Sequence, residues 1–329
     1  MKRTLPIAVI AAGALAFGLT ACGSSDGDGP GAGDTLSVGV FLPGSVNDTG
    51  FMQSAYAGYN RVKESLGDKV DASHVEQVAA ADYQQALQRF ASENDLVIAV
   101  GGQTDADLRK VAPQFPEVKF VEIGGPADAE PLPNLAYYDP QQAEAEFVAG
   151  AAAAASSKAG VVGFVGGVEL PAIVNSAKAF ANGATFTKSD VKVLAPQYVG
   201  DFNDPAKAKQ AAGTAYASGA DVLSQIVNLG KQGMEQAAKE TGNRLSGGPI
   251  PGDCANTVYS GYVRTDIGTE VEYAVNSVLD GTWQAEQVPF GLTSDKRGTD
   301  YVVCSDDPAV ASAVDRAKTA IADRTVQPY

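Results

Sequence analysis

Short apolar runs rich in β-branched residues alternate with longer segments of helical periodicity along most of the chain. The first pair is the strand-like run LSVGVFL at 36–42 and the segment FMQSAYAGYNRVKESLG at 51–67, which Gly67 ends. The alternation continues to residue 139 and restarts with the small-residue helix EAEFVAGAAAAASS at 144–157. Strands separated by helices are typical of βαβ units around a parallel sheet, so the pattern predicts an α/β protein.

The restart near Asp139-Pro140 divides the pattern into two successive α/β sets, and 329 residues are enough for two cores. We therefore predict two lobes, each a mostly parallel sheet flanked by helices. Ligands of parallel sheets bind beyond the carboxyl ends of the strands, so the loops after the strands are expected to face a cleft between the lobes.

These loops are rich in glycine, amides and carboxylates and poor in lysine and arginine, which favours hydrogen bonding to a neutral, polar small molecule. Phe51 and Phe202 each follow such a loop, one in each predicted lobe. Their rings could sandwich a planar group, and the alternative is that both are ordinary core residues. The candidate hydrogen-bonding residues of the same loops are Asn47, Asp48, Gln103, Asn228 and Asp253.

The first 34 residues have the layout of a secretory signal followed by a spacer. Lys2 and Arg3 precede the apolar run LPIAVIAAGALAFGL, which at about fifteen residues is shorter than the roughly 20 of a spanning helix. The sequence LTAC at 19–22 resembles the lipobox of bacterial lipoproteins, in which the cysteine is acylated. Residues 1–21 are therefore predicted to be a signal peptide, Cys22 a lipid anchor, and residues 22–34 a flexible tether.

Charge and rare residues exclude several functions. Without Lys2 and Arg3, 22 basic residues face 39 acidic ones, a balance of −17 that disfavours nucleic acid as a partner. The only histidine, His74, lies in a strand-like segment, so neither a histidine-based catalytic triad nor a metal site is indicated. Cys254 and Cys304 remain as an even pair, which predicts either a disulfide or two unpaired thiols.

Several motifs resemble those of the basic membrane protein family, the nucleoside-binding lipoproteins of ABC transporters. They are GSVNDTGFMQSAYAGYNRV, VIAVGGQTDADLRKVAPQFPEVKFVEIG, EFVAGAAAAASSKAGVVGFVGGVELPAI and YVGDFNDPAKAKQAAGTAYASGADVLSQIV, and they follow the family's order. The resemblance spans nearly the whole chain after the tether. It implies a type I periplasmic-binding-protein fold, with two lobes that are hinged by three crossings and close on a ligand. On this resemblance, the first lobe is expected to comprise residues 35–139 with about 255–285, and the second residues 140–254 with about 286–329.

The resemblance also implies roles for particular residues. Phe51 and Phe202 are expected to stack on a purine base and Asp253 to hold the ribose hydroxyls. The remaining ligand-binding residues that it implies are Asp48, Gly102 and Gln103 on the wall of the first lobe and Asn228 on the opposite side. Met52 stands where the family has asparagine, and this change removes a polar group from the base edge.

The sequence thus predicts a monomeric, extracytoplasmic receptor that is anchored to the membrane by a lipid. This receptor is expected to deliver a purine nucleoside or nucleobase compound to an ABC permease. No cofactor, metal or catalytic activity is predicted. A receptor for a sugar or another small polar ligand, and a ligand sensor, remain as alternatives. A nucleoside hydrolase would need a carboxylate cluster or an activated nucleophile, and the loops show neither.

Overall fold

The computed structural model describes residues 35–329. The predicted signal peptide, the tether and Cys22 lie outside the described residues. The strands are β1 Leu36–Leu42, β2 Val70–Glu76, β3 Leu96–Val100, β4 Lys119–Ile123, β5 Leu135–Asp139, β6 Val161–Gly166, β7 Lys192–Val193, β8 Gln197–Tyr198, β9 Val222–Ile226, β10 Arg244–Gly247, β11 Tyr259–Thr265, β12 Gln287–Pro289 and β13 Thr299–Val303. The α-helices are α1 Phe51–Leu66, α2 Tyr83–Glu93, α3 Asp105–Val111, α4 Gln142–Ser156, α5 Pro171–Thr187, α6 Pro205–Ala217, α7 Lys231–Thr241, α8 Ile267–Leu279 and α9 Pro308–Ala322.

The first lobe is built on a parallel sheet in the order β12-β5-β4-β3-β1-β2. Strand β3 is apolar over its whole length, and β1 is apolar or glycine except at Ser37, because both faces of the sheet are covered. Helices α1 and α8 cover one face, and α2 and α3 cover the other. The lobe therefore has three layers, with the carboxyl ends of its parallel strands at one common edge.

The second lobe repeats this architecture in the order β13-β11-β10-β9-β6-β7, with β8 paired to β6. All of these pairings are parallel except that of β11 with β13. Helices α4, α5 and α9 cover one face, and α6 and α7 cover the other. The predicted α/β class and two-lobed periplasmic-binding-protein architecture are thus confirmed.

The close packing of α4 on α5 explains the run of small residues in α4. A Cβ atom at Gly150 would overlap the Phe180 carbonyl oxygen, and one at Gly183 would overlap the Phe147 carbonyl oxygen. Only glycine fits at these two crossing points, because the two helix backbones are in direct contact there. The contact holds the second half of α5 against α4, and the first turn of the same helix borders the cleft described below.

The chain passes between the two sheets three times, between β5 and α4, between β11 and α8, and between β12 and β13. The second and third crossings differ from the predicted boundaries. Strand β11 pairs with β10 and β13 in the second sheet, although residues from about 255 were assigned to the first lobe. Strand β12 pairs with β5 in the first sheet, although residues from about 286 were assigned to the second lobe. Of the segment from about 255 to 285, helix α8 lies in the first lobe as predicted, where it packs beside α1.

Cys254 and Cys304 form a disulfide, with their Cα atoms 5.1 Å apart. The bond joins the loop after β10 to the residue that follows β13, both in the second lobe. It closes a loop across a sequence separation of 50 residues and ties the antiparallel edge of the second sheet to a surface loop.

Candidate functional site

A cavity of about 200 Å³ lies between the lobes at the carboxyl ends of their strands. Its wall from the first lobe comes from the loops after β1, β3 and β4, and its wall from the second lobe comes from the loops after β6, β8, β9 and β10. The predicted residues that line it are Asp48, Phe51, Met52, Gly102, Gln103, Phe202 and Asn228. The structure therefore brings seven of the eight predicted ligand-binding residues to one cavity.

Phe51 and Phe202 enter the cavity from opposite lobes. Phe51 is the first residue of α1, and Phe202 lies in the loop between β8 and α6. Both rings lie against glycine backbone: a Cβ atom at Gly124 would be 3.0 Å from the Phe51 ring, and one at Gly167 would overlap the Phe202 ring. These glycines hold the rings at the cavity walls, where aromatic faces can stack on a planar ligand.

Asp48 lines the cavity, but its carboxylate is already saturated with hydrogen bonds. Oδ1 accepts from the backbone N–H groups of Gly50 (2.7 Å) and Gln53 (3.1 Å), and Oδ2 accepts from that of Met52 (3.1 Å). These bonds satisfy amides at the start of α1 that have no partner within the helix. Burial raises the pKa of Asp48 above its ordinary value, and the three backbone hydrogen bonds oppose that rise. Asp48 thus organises the N-terminus of α1.

The same carboxylate links the two lobes. The side-chain amide of Asn228, in the second lobe, donates to Asp48 Oδ2 at 2.8 Å. Lys231 Nζ, at the start of α7, donates to the Thr49 carbonyl oxygen at 2.6 Å. Burial lowers the pKa of Lys231, while its attraction to Asp48 raises it. The cavity is therefore closed on this side by direct contacts between the lobes, which we call the cross-cleft contacts (Asp48–Asn228 and Thr49–Lys231).

Polar residues at the first crossing form a part of the site that the sequence analysis missed. The Asp139 carboxylate, at the end of β5, accepts from the Gln141 backbone N–H (2.8 Å) and from Gln141 Nε2 (2.5 Å). Burial raises the pKa of Asp139. Gln142, the first residue of α4, also lines the cavity there, and the polar lining residues missed elsewhere include Asn175 and Ser176 on α5 and Tyr329 after α9. The signal that could have found Asp139 is its place at the end of a buried strand, at the junction between the two α/β sets.

The cavity wall carries no lysine, arginine or histidine among the described residues, and its two carboxylates belong to Asp48 and Asp139. Within residues 35–329, no group of three or more histidine, cysteine, aspartate and glutamate side chains could hold a metal ion. The wall offers aromatic faces, amide groups and glycine backbone, and its electrostatic potential is unfavourable for an anion. The chemistry that this arrangement supports is the binding of a neutral aromatic compound.

Two of the candidate hydrogen-bonding residues, Asp253 and Asn47, do not line the cavity. Asp253 is exposed, and its Oδ1 accepts from the Ala255 backbone N–H at 2.8 Å, which stabilises a turn of its own loop. Asn47 is also exposed and does not line the cavity. Asp253 therefore does not line the cavity in this arrangement, and its role in holding ribose hydroxyls stays a prediction. His74 packs between Tyr56 and Tyr59, with ring centroids 4.9 Å from each, on strand β2.

Over residues 35–329, no helix is both long enough and apolar enough to cross a bilayer.

Solved structures of transport proteins share this architecture. An ABC transporter solute-binding protein from Aeropyrum pernix superposes with a TM-score of 0.77 at 21% identity, over 89% of this chain and 92% of that protein. One from Conexibacter woesei gives a TM-score of 0.69 at 21% identity, over 89% and 98% of the two chains. At these identities the likeness concerns the fold.

Proteins related in sequence indicate the family more specifically than the likeness of fold does. The chain is 29% identical to a purine-binding protein of Brucella abortus over 269 residues, which cover 79% of this chain and 74% of that protein. It is 29% identical to the ABC transporter nucleoside-binding protein BmpA of Lactococcus lactis over 248 residues, 72% and 68% of the two chains. It is 30% identical to basic membrane protein A2 of Borrelia garinii over 208 residues, 63% and 60% of the two chains.

The resemblance drawn from the sequence motifs is confirmed by the family comparison. Residues 35–295 match the family described as ABC transporter substrate-binding protein PnrA-like, and the match includes the first sheet, every strand of the second sheet except β13, and most of the cavity wall. The chain belongs to the PnrA-like family of ABC transporter substrate-binding proteins.

Proposed function

We propose that this protein binds a purine nucleoside or a related nucleobase compound between Phe51 and Phe202 and delivers it to an ABC permease. The observation that carries the proposal is the pair of aromatic rings, one from each lobe, in a cavity whose described wall has no cationic side chain. Stacking suits a flat base, and each stacked ring contributes about 1–3 kcal/mol. The printed names of the Brucella and Lactococcus relatives point to the same ligand class.

The charge of the wall favours a nucleoside or base over a nucleotide. A phosphate group would lie near the carboxylates of Asp48 and Asp139 with no lysine or arginine of the described wall to neutralise it. The volume of about 200 Å³ is below the about 300–1,000 Å³ of sites for drug-sized ligands, which favours a single small molecule.

In this proposal the ligand stabilises the closed form by contacting both lobes at once, and the closed form docks on the permease. The protein acts as a monomer and makes or breaks no bond in the ligand. Acylation at Cys22 holds it on the outer face of the membrane, with residues 22–34 as the tether. Incorporation of labelled palmitate in the wild type, and its loss in Cys22→Ser, would test the anchor.

The ligand itself is tested by gentle purification of the full chain in detergent, denaturation, and mass spectrometry of the released small molecules. We expect a purine compound. Calorimetry with inosine, guanosine, adenosine, adenosine monophosphate and galactose then ranks the classes. Tight binding of a nucleoside with no binding of the monophosphate supports the proposal. Release of a sugar, together with binding of galactose and of no purine, overturns the ligand assignment and leaves the family unchanged.

A further inference from the structure

One residue of the cavity wall lies far outside the region that matches the family. The family match ends at residue 295, whereas Tyr329 lines the same cavity as Phe51 and Phe202. Tyr329 is 47% exposed, so part of its side chain faces the cavity and part faces solvent. A side chain in both environments lies at the opening of the cavity.

The segment that carries Tyr329, residues 323–329, is held against the second lobe. Arg324 adopts a left-handed conformation, with φ of 54°, and reverses the chain after α9. The Thr325 backbone N–H then donates to the Ala320 carbonyl oxygen at 3.0 Å, and Val326 packs against the apolar core of the lobe. Asn182 Nδ2 on α5 donates to the Pro328 carbonyl oxygen at 3.0 Å. These contacts fix the backbone next to Tyr329.

The direction of the segment explains how Tyr329 reaches the site. Between Ala320 and Pro328 it passes from the end of α9 to α5, whose first turns supply Ala172, Ile173 and Asn175 to the cavity wall. Burial raises the pKa of Tyr329, and so do the nearby carboxylates of Asp139, Glu144 and Asp128, which come from both lobes. Tyr329 is therefore a neutral aromatic side chain between the lobes at the cavity opening.

We propose that residues 323–329 cover the opening of the cavity and that the Tyr329 ring contacts the bound ligand as a third aromatic wall beside Phe51 and Phe202. The part that concerns ligand contact rests on the proposed function, because an aromatic ring gains most from covering a flat, neutral ligand. The cover belongs to the second lobe alone, so it moves with that lobe when the cleft opens.

The first test compares ligand affinity in four full-length proteins by calorimetry with inosine, guanosine and adenosine. They are the wild type, Tyr329→Ala, Tyr329→Phe and the control Phe186→Ala. Phe186 is a matched control because it is 42% exposed, lies on the same helix that Pro328 contacts, and does not line the cavity. We expect Tyr329→Ala to raise Kd about tenfold for the best nucleoside, which corresponds to about 1.4 kcal/mol. Tyr329→Phe keeps Kd within about threefold, because the ring is retained.

A second readout needs no ligand. Ala172 lines the cavity and is partly buried, so a cysteine introduced there reports access from solvent. We expect labelling of Ala172→Cys by a small maleimide, followed by peptide mass spectrometry at position 172, to become severalfold faster when Tyr329→Ala is added. The addition of Phe186→Ala instead should leave the labelling rate unchanged.

The outcomes distinguish the proposal of a purine ligand from the proposal that residues 323–329 cover the cavity opening. The proposal that residues 323–329 cover the opening is wrong if Tyr329→Ala changes neither Kd nor the labelling rate by more than about twofold. It is also wrong if Phe186→Ala changes Kd and the labelling rate as much as Tyr329→Ala does. If the wild type binds no purine probe but labelling at position 172 still depends on Tyr329, the proposed ligand is wrong and the cover stands.

Discussion

The cross-cleft contacts make a sharp prediction because they exist only when the lobes are together. Lys231 donates to the Thr49 carbonyl oxygen across the cleft and is attracted to Asp48, yet it does not line the cavity. Replacing it by methionine keeps most of the side-chain volume and removes the cross-cleft bond. The substitution should therefore destabilise the closed form without touching the ligand.

The magnitude follows from the environment of the ammonium group. A hydrogen bond to a charged group contributes about 1.5–3 kcal/mol, and the lower end or less applies because Lys231 is only half-buried. The cost of burying the charge, which lowers the Lys231 pKa, reduces the gain further. We expect a net loss of about 1 kcal/mol, which raises the apparent Kd about fivefold.

The assay is calorimetry with the purine nucleoside that the wild type binds best, for Lys231→Met and for the control Lys209→Met. Lys209 pairs with Glu240 at 2.8 Å within the second lobe, so its loss removes the same charge without affecting the cleft. Small-angle scattering of the ligand-free proteins should show a larger radius of gyration for Lys231→Met only. If Lys231→Met binds within twofold of the wild type, or no worse than Lys209→Met, the reasoning about the cross-cleft contacts is wrong.

Two further predictions concern stability. Breaking the disulfide with Cys254→Ser and Cys304→Ser should lower the free energy of unfolding by about 4 kcal/mol, from the chain entropy of a loop of this length, as measured by urea denaturation; an unchanged midpoint would contradict this. Burial raises the pKa of Glu146 to about 8, so the folded protein keeps a proton there that the unfolded chain loses above its ordinary pKa near 4.5. Stability should therefore fall from about pH 4.5 to about pH 8, by up to about 1.4 kcal/mol per pH unit from this group. Glu146→Gln, which can still accept from Ser224 Oγ, should reduce the decline, and a parallel pH dependence in both proteins would refute the assignment.

The sequence was sufficient for the fold class because the signals for βαβ units are local. Apolar runs such as β1 and β3 are covered on both faces, and their short length and β-branched residues distinguish them from the longer helical segments. The boundaries between the lobes were harder to predict from the sequence. Whether β11 joins the first or the second sheet depends on its pairing with β10 and β13, and strand neighbours are not encoded in the periodicity of the strand itself.

The candidate site was predictable where residue type and position agree. Phe51 and Phe202 follow strand ends in different lobes, and both line the cavity. Asp48 lines the cavity, but its hydrogen bonds go to α1 and Asn228, and a sequence motif does not show which partner saturates a carboxylate. Asp253 lies outside the cavity wall because its side chain is exposed and bonded within its own turn, which a sequence motif does not show either. Tyr329 was not predicted because it reaches the cavity only through the path that residues 323–329 take across the second lobe, which no local motif shows.

The central claim is that a flat purine compound is bound between Phe51 and Phe202. The most direct measurement is calorimetry of the wild type, Phe202→Ala and the surface control Phe186→Ala with the compound released from the purified protein. The account predicts a purine nucleoside or base whose Kd rises roughly tenfold or more in Phe202→Ala, from the loss of one stacked ring, and stays unchanged in Phe186→Ala. A released sugar or amino acid that Phe202→Ala binds as tightly as the wild type would contradict it.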